Sequence, residues 1–127
     1  MVSVRESLRR GKTIVYVSGQ VGWNAAQQII DSADLGVQTR QALGNVETVV
    51  AAAGGSRSDI VSLRLYIVGE HIHKAQSVRE ILLDFFPAEN LPTSSWIGVA
   101  ALANKDFLIE IEAVAVLKQG TEAQCVR

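Results

Sequence analysis

The sequence predicts one mixed α+β domain in which two helices cover a single face of a small sheet. Three observations predict it. Apolar residues recur with period two in some segments and period 3.6 in others. The segments follow one another in the order β(β)αβαββ. The 127 residues match one domain, residues 1–127, by the usual prior of about 150 residues per domain, with residues 119–127 a loose polar tail.

Residues 13–17, Thr-Ile-Val-Tyr-Val, are β-branched and aromatic and read as a strand closed by a tight turn at Ser18-Gly19. A weaker strand over residues 2–8 precedes it, with Arg10-Gly11-Lys12 as the hairpin turn. From Asp34 the period changes. Leu35, Thr39, Leu43, Val46, Val50 and Ala53 share a helical face, while Gln38, Arg40, Gln41 and Glu47 fall elsewhere. Asp34 is the expected N-cap and Gly54-Gly55 the expected stop.

Residues 60–68 alternate, with Val61, Leu63, Leu65 and Ile67 on one face and Ser62, Arg64 and Tyr66 on the other. Residues 71–86 carry Ile72, Ala75, Val78, Leu82 and Phe85 at helical spacing, and Pro87 ends the helix because it cannot continue the hydrogen-bond ladder. A loop over 87–92 leads into a strand over 94–102. The last strand, 107–117, is apolar on both faces: Phe107, Ile109, Ile111, Ala113, Ala115 and Leu117 on one, and Leu108, Val114 and Val116 beside Glu110 and Glu112 on the other. Two helices about 10 Å across cannot cover both faces of a sheet whose strands lie about 4.8 Å apart. The uncovered apolar face is therefore expected to pack against other copies of the chain.

Composition narrows the function. Hydrophobic residues make up 48% and aromatics 6%, which is globular and aliphatic. Twelve Lys and Arg against thirteen Asp and Glu leave a formal charge of -1, so no basic field draws nucleic acid or an anionic membrane. No apolar run approaches the roughly 20 residues of a membrane span. The single cysteine, Cys125, has no partner for an internal bridge, which fits a reducing compartment, and a cytoplasmic location is expected.

The candidate chemistry centres on Glu110 and Glu112, two carboxylates on one face of an apolar strand, about 6.5 to 7 Å apart along it. Burial raises a carboxyl pKa towards the range a general acid or base needs, unless an ion pair with Arg64 or a basic N-terminal residue holds the charge or water reaches the face. His71 and His73 are spaced i, i+2, which diverges on a helix, and no Cys or His cluster suits a metal. Ser94-Ser95 has no histidine nearby in sequence to activate a nucleophile. Trp96 either fills the core or walls a ligand pocket, and Arg79 is either an exposed helical cation or a ligand contact.

Several segments, in order across nearly the whole chain, resemble the Rid family (reactive intermediate deaminases, YjgF or RidA-like). They are Val17-Ser18-Gly19-Gln20-Val21, Gln38-Thr39-Arg40-Gln41-Ala42-Leu43 with Asn45-Val46, Ala52-Ala53-Gly54, Phe85-Phe86-Pro87, and the run from Leu108 to Val116. The resemblance implies a chorismate-mutase-like fold, assembled as a homotrimer with small-molecule clefts between subunits. It also implies hydrolysis of imines and enamines to ketoacids and ammonia without metal or cofactor. The family arginine that grips the substrate carboxylate aligns with Ser94, a family tyrosine aligns around Val4, and a pocket asparagine aligns with Arg79. Glu110, which in the family positions or activates water, is retained together with Gly19.

The expected site is therefore Glu110 as the catalytic group, with Arg79, Gly19, Ser94 and Trp96 contacting substrate. Arg79 would supply from the helix the positive charge lost at 94. Three readings follow: an imine or enamine deaminase, a non-catalytic trimer binding a carboxylated or aromatic metabolite, and the endoribonuclease or translation-inhibitor activity also attached to the family. Near-zero charge and the lack of interleaved basic and aromatic residues weigh against the last.

Overall fold

The computed structural model describes residues 2–6 and 12–118. Five strands form one sheet in the order β1-β2-β5-β3-β4, from β1 (Val2–Glu6), β2 (Thr13–Val21), β3 (Ile60–Val68), β4 (Thr93–Val99) and β5 (Ile109–Leu117). All neighbours are antiparallel except β3 and β4. The parallel pair is joined through α2 (Gln76–Phe85), while α1 (Leu35–Ala52) links β2 to β3. Both helices pack on one sheet face, where Leu43, Val46, Val50 and Val78 meet Val15, Leu63, Leu65, Ile111 and Ala115 in a single core. This is the α+β arrangement the periodicity predicts, with the weaker N-terminal strand present as β1 at one edge. Of the predicted turn Arg10-Gly11-Lys12 only Lys12 is among the described residues, and residues 7–8 of the predicted first strand and the tail at 119–127 lie outside them.

Asp34 caps α1 by accepting from the Val37 N–H at 3.0 Å, and the helix gives way to Gly54, whose φ of 95° an L side chain would resist. Arg57 fastens the two helices: it donates to both carboxylate oxygens of Glu47 on α1, at 2.5 and 3.0 Å, and to the Phe85 carbonyl at the end of α2 at 2.8 Å. Its guanidinium also lies 3.9 Å from the centre of the Phe85 ring.

Five details correct the sequence reading. Ser18-Gly19 is not a tight turn; β2 runs on to Val21 through a bulge in which Val17 pairs with Ala113 but Gln20 pairs with Ile111, one extra residue on β2. A second register shift, between Ile60 and Ser62 of β3, turns Val61 outward to 45% exposure and buries Ile60. Gln38 belongs to the buried face of α1. Residues 69–74 form a 3-10 stretch, and α2 begins only at Gln76. The strand expected over 94–102 ends at Val99.

Gln38 is fully buried because its amide replaces missing backbone partners. Its NH2 group donates to the carbonyls of Asp31 at 3.1 Å and Asp106 at 2.8 Å, and its oxygen accepts from the Leu108 N–H at 2.9 Å. The adjacent loop approaches so closely that a Cβ at Gly22 would lie 2.7 Å from Gln38 Cβ. Asn45 repeats the device two turns further along α1, donating to the carbonyls of Val21 and Trp23 at 3.0 Å. These two amides hold the end of β2 and the start of β5 in place, and so position Glu110.

Candidate active site

The predicted site residues fall into two groups. β5 buries every odd residue from Ile109 to Leu117 against the helices, so Glu110 and Glu112 stand on the opposite, helix-free face. Glu110 pairs across the sheet with Val21 on one side and Tyr66 on the other. It also lies against the bulge, where a side chain at position 19 would overlap its carboxyl group. Gly19 therefore owes its identity to space for Glu110.

Glu110 is half-buried, and no ion pair or side-chain hydrogen bond holds its carboxylate among the described residues. Burial, and secondarily the like charge of Glu112, push its pKa above the ordinary carboxyl value. The alternative of an Arg64 ion pair is not realised among the described residues, whose ion pairs join Arg40 to Asp84 and Arg57 to Glu47. Glu112 instead accepts a hydrogen bond from the Tyr66 hydroxyl. That bond is the main reason the Tyr66 pKa rises, with burial and the Glu112 charge adding to it and Arg64 opposing it. Tyr66 was not singled out by the sequence; its place on the polar face of β3, opposite the paired carboxylates, is the signal that could have found it. Beside this cluster Tyr16, Ser18, Ser62, Arg64, Glu112 and Val114 surround a concavity of about 340 Å³.

Arg79, Ser94 and Trp96 gather elsewhere. In the parallel pairing Ser94 sits beside Leu63 and Trp96 beside Leu65, both core residues, so Ser94 and Trp96 look towards α2. Together with Arg79 they line a cavity of about 250 Å³ at the open edge of the sheet. The Trp96 indole N–H donates to Ser94 Oγ at 3.0 Å. Within one chain, then, Glu110 and Gly19 occupy one sheet face and Arg79, Ser94 and Trp96 the other.

The sequence model of the family described as Endoribonuclease L-PSP matches residues 6–117. The chain belongs to the Rid family. Rid proteins of solved structure share its fold: a Yersinia pestis member of unknown function, YyfB, superposes with a TM-score of 0.77 at 36% identity, covering 82% of this chain and 78% of that one. Escherichia coli TdcF, solved with bound serine, gives a TM-score of 0.73 at 32% identity over 91% of this chain and 87% of its own. A Dermatophagoides farinae relative called 2-iminobutanoate/2-iminopropanoate deaminase is 29% identical over 113 residues, 89% of this chain and 84% of its own. Among the described residues of this Rid chain no cluster of His, Cys, Asp or Glu could hold a metal, and no helix is long and apolar enough to cross a membrane.

Proposed function

We propose that the protein hydrolyses a carboxylated imine or enamine to a carbonyl compound and ammonia, in clefts between the subunits of a homotrimer. The observation that carries this reading is Glu110: a half-buried carboxyl without a partner among the described residues, raised in pKa and given room by Gly19, in a chain of the Rid family. As the carboxylate it takes a proton from water while the water oxygen bonds to the C=N carbon. Returning that proton to nitrogen gives a carbinolamine, and passing the carbinolamine hydroxyl proton to nitrogen through the same carboxylate lets the C–N bond break as the C=O bond forms, so that ammonia leaves. One water is consumed for each ammonia released, and the balance needs no oxidant, metal or cofactor.

Arg79 binds the substrate carboxylate in this reading, replacing the charge that Ser94 does not carry. Because Glu110 and Arg79 sit on opposite faces of one sheet, they meet a common substrate only when different copies supply them. The helix-free face supports such an assembly: Tyr16 on β2 is 44% exposed and Ile97 on β4 37% exposed. Ammonia release from an amino-acid-derived imine tests the proposal. Glu110→Gln should lower turnover by about 10²-fold or more, the usual contribution of a general base, and undiminished turnover would refute it. Ligand-dependent stabilisation without turnover would favour the metabolite-binding reading instead.

A further inference from the structure

The cavity that holds Arg79 is built for more than a small imine. Apart from Arg79 and Ser94 its wall is apolar, formed by Leu63, Leu82, Leu83, Phe86, Leu91 and Pro92 with the Trp96 ring. Its volume is about 250 Å³. An apolar cavity of roughly 150 Å³ already admits benzene, so a phenyl or indole group fits here with room for a polar end. A one- or two-carbon side chain would leave most of the wall without partners and forgo the dispersion and burial such a wall offers.

Three features narrow the occupant. Trp96 is fixed by its hydrogen bond to Ser94, and a fixed indole wall favours a planar ring stacked or edge-on against it. Arg40 and Arg57 are neutralised by Asp84 and Glu47, whereas the exposed Arg79 has no ion pair or side-chain hydrogen bond among the described residues. Leu83 and Leu91 at the rim are 52% and 50% exposed, apolar surface that a ligand ring would cover.

We propose that this cavity is the specificity pocket of the site and takes an acid with an aromatic side chain, its carboxylate on Arg79 and its ring against Trp96. The proposal rests on the imine-hydrolysis reading only for the identity of the reacting group. The neighbouring Ser94 cannot take the place of Arg79: while accepting from Trp96 its hydroxyl can donate one hydrogen bond, but it carries no charge and no bidentate fork for a carboxylate.

Binding and turnover, measured separately, test it. In a Trp23→Phe background, where Trp96 is the sole indole, the full-length protein is titrated with 3-phenylpropanoate and with propanoate. The phenyl acid should quench Trp96 fluorescence and bind at least about tenfold more tightly, the margin expected from burying a ring. Arg79→Ala should weaken it about tenfold and the rim variant Leu83→Gln severalfold, both at exposed positions that leave the fold intact. Equal affinity for the two acids, or binding indifferent to Arg79→Ala, overturns the proposal. Turnover is read on imines made in place by an amino-acid oxidase from phenylalanine and from alanine. A preference for the phenylalanine-derived imine supports the pocket, and equal hydrolysis of both overturns it while the reaction reading stands. The predicted binding pattern with no hydrolysis of either imine supports the aromatic-acid pocket and overturns the reaction reading.

Discussion

Glu110 carries opposite consequences for stability and for chemistry. Its folded pKa lies above the ordinary carboxyl value, so folding favours its protonated form. That contribution is fully present below the unfolded pKa and is lost as pH rises through the folded one, where the bare charge must be kept half-buried. Glu110→Gln is therefore expected to melt higher than the parent at pH 8 and at nearly the same temperature at pH 4, as thermal melts at the two values would show. Turnover should behave in the reverse sense, rising as pH climbs through the same raised pKa because the carboxylate is the base. Gly19→Ala places a methyl group into the Glu110 carboxyl, so both the melting temperature and the turnover should fall. Glu110 was visible in the sequence because a charge within an alternating apolar strand contradicts its surroundings. Tyr66 was not, since a tyrosine on the polar face of a strand violates nothing until its partner Glu112 is placed opposite.

At the scale of elements, four of the five departures from the predicted structure concern where a strand or helix begins, ends or is interrupted. Periodicity located β3, β5 and the body of α1, whose apolar faces are long enough to reveal their repeat. It could not see the bulges, because one inserted residue in β2 or β3 is defined only by its partner strand, and Val61 was assigned inward for that reason. Gln38 escaped for a related reason. Its polarity argues for solvent, and only the orphaned carbonyls of Asp31 and Asp106 and the Leu108 N–H, 68 to 70 residues away for two of the three, make burial favourable. Gln38→Ala leaves those groups unsatisfied and is expected to destabilise the fold by about 3 kcal/mol, read as a lower denaturant midpoint at an unchanged slope. Because the same contacts hold the start of β5, the variant should also lose turnover at temperatures where it is still folded.

For the molecule as a whole, two helices against a five-stranded sheet leave one face without helices, and the proposed function gives other copies packed there a chemical task, because the candidate residues are split between the two faces. The fold and the family were legible in the sequence, because the matching segments span nearly the entire chain. The division of Arg79 from Glu110 was not, since it depends on strand faces and on which edge β4 occupies. Sedimentation is expected to find a trimer, and Val114→Lys on the helix-free face should shift it towards monomer while leaving the core of the protomer folded.

The account stands most directly on two copies sharing one site, and subunit mixing tests that. Measured below saturation, Arg79→Ala alone is expected to keep about a tenth of the parent's activity and Glu110→Gln alone about a hundredth. Unfolded together in equal amounts and refolded into mixed trimers, they should regain about a quarter of the parent's ammonia release, since random assortment pairs an intact Arg79 with an intact Glu110 at about one interface in four. No recovery on mixing, from variants that assemble as the parent does, would contradict it.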